Sequence, residues 1–388
     1  MYINAKKAYF VLLTLLVAHI SFVTISSRLV SNYDDKIYNL SLFTLVLMLP
    51  YIQVLIQKKY LTFNCLFLLM CGSMFLSAIV NKGKLTIMIE PSLVFILRIM
   101  AFVFFWEISD YAGVLFKNLK LLFYIIVFYC LLSDVLMIVA PNRTYYLNDY
   151  YDDFLVGSKF SLSYLHLWMV LLYSTIFKKF DKIFYGLMAL TFVVSLHSGC
   201  STMVVGTAII AILFIFRKYI GTILHNNIVL LIVLIVSSVI LVFGSFVLQI
   251  PMIQNFIINV LHENATLSGR LNIYERYGSL LLVNPIWGVS YDANYKFSMF
   301  YTGAANFQNG IVDVFVSFGL LGVVIFLVML FSANRASKKI NDYIFVNAIY
   351  MFVMLASVEI PFRTNMYILL SMVILLSKGW DRNELQGE

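Results

Sequence analysis

The residues best equipped for chemistry in this 388-residue chain gather in "TLSGRLNIYERYGSLLLVNPIWGVS", residues 266–290. Two guanidinium groups, Arg270 and Arg276, stand among two phenols, Tyr274 and Tyr277. A helix from about 271 to 283 is predicted, with Ser268 as N-cap and Pro285 past its end. Arg270, Tyr274 and Tyr277 then fall at i, i+4 and i+7 and share one face, with Arg276 about 120° away. The free N–H groups of a helix start, the freedom of Gly269 and the two-pronged donor of arginine together make a seat for phosphate or diphosphate. The other reading is that Arg270 pairs with Glu263 or Glu275 and folds the loop. Arg276 either addresses a second anion or locks the local structure.

Such groups need a scaffold, and the composition says which kind. The chain is 62% hydrophobic and 12% charged, too little charge to cover a soluble protein of this size. Apolar runs of membrane-crossing length recur at 8–27, 38–56, 61–80, 91–109, 119–140, 160–177, 182–198, 200–216, 227–248, 309–332, 341–360 and 364–378. The expected fold is all-α: a polytopic transmembrane bundle of about twelve helices, one integral membrane domain over 1–388, with outer loops at 141–159 and 249–308. The first run is read as a span rather than a cleaved leader. Gly310, Gly319 and Gly322 predict that the 309–332 run breaks into a short re-entrant piece and a spanning piece. Cys65, Cys71, Cys130 and Cys200 sit in or beside apolar runs without a CxxC pair, and read as small core residues.

Basic residues orient the bundle. With the N-terminus inside, sixteen Lys and Arg fall inside and ten outside; with Arg98, within a helix, they make up the 27 of the chain. The inside turns are short and carry basic pairs such as Lys58–Lys59, Lys178–Lys179 and Lys338–Lys339. Both termini are therefore expected in the cytoplasm and the 249–308 loop outside. The net charge of +8 follows this placement and implies no nucleic-acid partner. Neither GxxxxGK[ST] nor GxGxxG occurs, which argues against ATP-driven transport by this chain. Within the outer loop, Ile253, Phe256, Ile257, Val260 and Leu261 recur at helical spacing, as in an amphipathic helix on the membrane face.

Three segments in order, "LSGR" with "IY", "NPIWGVS", and "NFQNGIVDVFVSFGLLG", resemble the C-terminal signature of the O-antigen polymerase and ligase superfamily. "SLHSGCSTMVVGTAI" is similar to the Ser-rich start of a preceding helix in that family, and the motifs cover about 195–335. The resemblance matches Arg270 to the family arginine, Pro285 and Gly288 to its turn, and Asn309 to its asparagine. Gln308 stands where many ligases have histidine; glutamine cannot act as a general base, which favours the polymerase branch. Cys200 or Ser201 stands where an arginine is frequent, so that contact does not carry over.

The resemblance implies a glycosyltransferase that joins oligosaccharide repeat units carried on undecaprenyl diphosphate, making O-antigen, capsular or exopolysaccharide at the outer leaflet. A chain-length regulator and a flippase are the implied protein partners. A sugar hydroxyl attacks the anomeric carbon and the lipid diphosphate leaves, so fixed cations stabilise the growing negative charge. Arginines take the place of a divalent metal, no DxD pair being present, and no cofactor is expected. The candidates are Arg270, Arg276 and Glu359 for catalysis, and Arg98, Arg143, Tyr274, Tyr277, Gln308, Asn309 and Arg363 for substrate binding. Glu359 either orients the acceptor hydroxyl or pairs at the surface with Arg363; Arg98 either lines a diphosphate cavity or meets a structural partner such as Asp134. His166 and His262 are candidate bases, although a lone helical histidine is more often a satisfied core group. Tyr291, Tyr295, Tyr301 and Trp287 stack on sugars or anchor the interface. "NYDDK" resembles the acidic pair that some membrane glycosyltransferases keep just after their first helix, whereas the acidic 149–153 run either binds glycan hydroxyls, supplies the base or is a solvated loop. A ligase, and a flippase for the same lipid-linked glycan, are the competing functions.

Overall fold

A computed structural model of the protein describes residues 5–23, 25, 33–82, 89–139, 153–242, 250–259, 273, 283–291, 293–303, 307–340, 343–357 and 359–378. Arg143, His262, Arg270, Tyr274, Arg276 and Tyr277 lie outside them, as does most of the acidic 149–153 run. The chain is a multi-pass helical membrane protein. A helix underlies each of the twelve apolar runs, and seven, among the described residues, are long and apolar enough to cross a bilayer. The pair Ser201–Ile215 and Arg217–Leu224 would make an eighth if counted as one broken span. Four further apolar helices are shorter.

The helices are α1 (Ala5–Val17), α2 (Tyr33–Met48), α3 (Leu61–Val80), α4 (Glu90–Tyr111), α5 (Leu115–Val139), α6 (Lys159–Phe177), α7 (Lys182–His197), α8 (Ser201–Ile215), α9 (Arg217–Leu224), α10 (Asn227–Val242), α11 (Pro251–Asn259), α12 (Ala293–Thr302), α13 (Gly310–Ile340), α14 (Tyr343–Leu355) and α15 (Thr364–Leu376). A two-residue antiparallel ladder, Asp153–Phe154 with Gly157–Ser158, precedes α6. A helix, α11, occupies the start of the stretch expected to be amphipathic, Val260 and Leu261 lying outside the described residues, whereas α12 has no counterpart in the sequence reading. The chain forms two compact units, 1–61 with 97–215, and 62–96 with 216–388.

In the first unit, α1 ends in a π-helical turn, Ala18–Phe22. Wider winding shifts backbone bonding there, and Arg98 Nε donates to the Ile20 carbonyl at 2.7 Å while Ser21 Oγ donates to the Arg98 carbonyl at 3.2 Å. Asp134 engages His166 Nε2 at 3.2 Å, and His166 Nδ1 lies 3.0 Å from the Leu162 carbonyl. His166 is fully buried, a satisfied core histidine. Across both units, Cys71, Cys130 and Cys200 are buried and unbridged, as expected of core residues, whereas Cys65 is exposed.

Asp181 starts α7. Its Oδ1 accepts from the Ile183 and Phe184 N–H groups, each at 3.1 Å, and from the Tyr173 hydroxyl at 2.9 Å. The Phe184 N–H contributes most to holding this carboxylate below its ordinary pKa of 3.8. A depressed pKa stabilises the fold above the unfolded value and stops doing so as pH falls through the folded one. Asp181→Ala is therefore expected to lower the Tm by a few degrees at pH 7, with the gap closing below about pH 3.8. A gap that persists undiminished into acid would show that the cap acts by shape alone.

Candidate functional site

The second unit is organised around a break. Gly319, within α13, has φ 67° and ψ −170°, so the helix divides into a half-helix, 310–318, and a longer piece, 320–340. Breaking a helix in an apolar setting strands backbone groups that water cannot reach. The helical bonds Leu320 to Val316 and Leu321 to Ser317 are lost, and the segment 285–290 supplies each partner in turn. Val289 N donates to Val316 O at 2.7 Å and Ser290 N to Ser317 O at 3.0 Å. Leu320 N donates to Pro285 O at 2.8 Å and Leu321 N to Ile286 O at 3.4 Å. "NPIWGVS" is thus a strap that closes the open ladder.

The crossing is backbone on backbone. A Cβ at Gly288, whose φ is 71°, would lie 2.5 Å from Phe318 N, and one at Gly319 would fall on the Ile286 carbonyl. From α3, Ser77 Oγ donates to the Ser317 carbonyl at 2.8 Å, and Asn81 Nδ2 to the Gly288 carbonyl at 2.9 Å. Asn284 Nδ2 donates to Asn81 Oδ1 at 3.2 Å. Ser92 and Ser290 hydroxyls lie 3.1 Å apart. Val289, Phe297, Phe307, Val312 and Val316 form the apolar packing beneath, fixing α12 against the half-helix.

The strap ends at Tyr291, and side chains converge there. Tyr291 stacks on Phe95 with ring centres 4.7 Å apart and planes at 13°. The Arg363 guanidinium lies over the Tyr291 ring, 5.4 Å from its centre, and Arg363 Nη2 donates to Asp313 Oδ1 at 3.4 Å. Asp313 is one turn into the half-helix and buried. Arg363 Nε is buried with no hydrogen-bond partner among the described residues, while the side chain as a whole is 37% exposed. Burial opposes its charge, but Asp313, Tyr291 and Glu359 outweigh that and hold the guanidinium protonated above its ordinary range. Ser290 (φ 83°) and Gln308 (φ 52°) flank this cluster in left-handed conformations that cost a side-chain-bearing residue energy, strain of the kind that gathers at working sites.

The sequence-predicted residues are therefore partly assembled. Arg363 and Glu359 come together with Asp313 and Tyr291. Asn309 is 1% exposed, and both its side-chain groups serve the fold: Oδ1 accepts from Val312 N at 2.8 Å, capping the half-helix, and Nδ2 donates to the Ala356 carbonyl at 2.7 Å. Gln308 is half-buried beside it. Glu359 is 7% exposed, with Oε1 accepting from Ile360 N at 3.1 Å, so its charge acts on Arg363 from a buried position and not at the surface. Tyr291 is committed to Phe95 and Arg363, which leaves it poorly placed as a sugar platform. Arg98 belongs to the first unit, and its visible role is tying the π turn. Asp313 escaped sequence reasoning. Its signal was a lone acid inside an apolar run, where an ionisable residue is expensive unless it works. No protein-family model matches the chain, and comparison with curated proteins finds no match either.

Proposed function

We propose that the protein is a membrane glycosyltransferase that polymerises polyprenyl-diphosphate-linked oligosaccharide repeat units at the outer leaflet. The observation that carries this reading is Arg363. Its guanidinium is oriented by Asp313 and Tyr291, retains exposure, and has a buried donor with no partner among the described residues. A fixed arginine of this kind is preorganised to hold a diphosphate. Two segments that carry the resemblance, "NPIWGVS" and "VSFGLLG", meet at the helix break despite their separation in sequence. That meeting supports treating them as one functional element.

In this reading the acceptor hydroxyl oxygen bonds to the anomeric carbon of the donor sugar while the bond from that carbon to the diphosphate oxygen breaks. The electron pair leaves with the diphosphate, whose added charge Arg363 stabilises together with Arg270 and Arg276 from the preceding loop. The hydroxyl proton passes to Glu359 and from there to solvent. Asp313 acts through Arg363, as a positioning residue. Both termini lie in the cytoplasm, and the 249–308 loop faces outward, as the basic-pair count supports.

Two measurements test this reading. In a strain lacking the protein, surface glycan is expected to carry single repeat units, whereas accumulation of unattached polymer would instead identify a ligase. For sidedness, single cysteines at Asn148 and Asn264, in a background without the native four, are expected to react with an impermeant maleimide in intact cells. A cysteine at Lys338 is expected to remain unlabelled; the reverse pattern would remove the site from the outer leaflet.

A further inference from the structure

The second unit also contains a cavity of about 410 Å³, lined in part by Arg335, Lys339, Ser332 and Asn227. It lies toward the far end of α13, roughly 22 Å along the helix from the break at 1.5 Å per residue. Ser332, Arg335 and Lys339 fall at i, i+3 and i+7 and share one face. Arg335 and Lys339, four residues apart, repel one another, yet no acidic residue lines the cavity among the described residues. Basic residues near a helix C-terminus are ordinary, because they complement its dipole. The surrounding donors are less ordinary. Asn334 Nδ2 donates to Asn227 Oδ1 at 3.0 Å, which fixes the Asn227 amide and leaves its Nδ2 donors uncommitted among the described residues. Asn227 also opens α10, so the positive end of that helix dipole lies in the cavity wall.

An apolar track leads to the cavity. Leu320, Val324 and Val328 are 55%, 49% and 46% exposed and recur every fourth residue along the face of α13 that carries Ser332. Val328 and Phe331 line the cavity itself. A soluble anion has no use for such a track, whereas a phospholipid matches both parts. We propose that this cavity seats the phosphate headgroup of an anionic membrane phospholipid, with an acyl chain laid along Val328, Val324 and Leu320. The inference is independent of the glycosyltransferase reading and needs only that the protein sits in a bilayer.

The test is native mass spectrometry of the intact protein, titrated in detergent with phosphatidylglycerol or with phosphatidylcholine of the same acyl chains. One phosphatidylglycerol is expected to bind more tightly than any phosphatidylcholine. Arg335→Ala/Lys339→Ala should weaken that adduct about 25-fold, each basic side chain contributing about fivefold. Lys6→Ala/Lys7→Ala, which removes the same charge elsewhere, should leave it unchanged, and the Tm of both variants checks that the fold is retained. Free glycerol phosphate at equal concentration should not displace the lipid. Equal affinity for the two lipids, equal loss in the two double variants, or displacement by glycerol phosphate would each overturn the proposal.

Discussion

Gly319→Ala is expected to yield almost no monodisperse protein after extraction into mild detergent. The residue occupies φ 67° and ψ −170°, a region essentially reserved for glycine, at a cost of about 1–3 kcal/mol for any side chain. The new methyl would also displace the Ile286 carbonyl, and with it the strap that satisfies both sides of the helix break. Each buried backbone group left without a partner costs about 1–3 kcal/mol. Four strap bonds are at stake, so the total reaches the ~5–15 kcal/mol that holds a typical domain folded. Gly303→Ala is the matched control. Its φ is 72°, yet a Cβ there would meet nothing within 4 Å among the described residues, so a loss of about 1 kcal/mol is expected. Size-exclusion profiles and thermal unfolding of both variants decide the matter. Indistinguishable behaviour would show that the strap adapts and that the crossing is not the keystone of this unit.

Arg363→Ala is expected to abolish polymer while leaving protein level and membrane insertion intact. Loss of a charged partner of the departing diphosphate is worth ~3 kcal/mol, on the order of 100-fold in rate. Arg363→Lys should also be badly impaired, because lysine keeps the charge but loses the fork geometry that Asp313 orients. Asp313→Asn should lower kcat with a smaller effect on KM, since it frees the guanidinium without removing it. Arg270→Ala is expected to match Arg363→Ala, and Arg276→Ala to do less if that residue braces the loop. The comparison requires chain length and Tm for every variant. Should Arg363→Ala lengthen glycans normally while lowering Tm as much as Asp313→Asn does, the pair is a structural tie and the diphosphate seat lies elsewhere.

The sequence made the helices legible because apolar runs long enough to cross a bilayer leave few other options. The break in the 309–332 run was legible from its glycines, but not which of Gly310, Gly319 and Gly322 would carry it. What it closes against was not. Hydropathy says nothing about pairing between two backbones, so "NPIWGVS" read as a turn, and its contact with 316–321 had no local signature. Arg363 and Glu359 were visible as charges beside Pro361, but Asp313 was hidden by the apolar residues around it, and its partner lies fifty positions away. Asn309 stands out only through the family resemblance, while its side chain caps a helix, a role that any Asn before an apolar helix can fill. Tyr291 drew notice only as one aromatic among several, because stacking partners cannot be assigned from spacing.

The strap imposes an order on the making of the protein. Every group that closes the break in α13 comes from residues already synthesised, namely Ser77 and the 285–290 segment. The half-helix can therefore dock as it leaves the ribosome, with no interval in which its open backbone faces lipid. The Arg363 end differs, because Ala356, which receives Gly310 N at 2.9 Å, and Arg363 itself are translated afterwards. A nascent chain arrested just past 340 would hold a closed break beneath an unfinished mouth. Arg363 is thus translated after the break has its partners and before α15, so the cation joins Asp313 and Tyr291 only as the last helices are added.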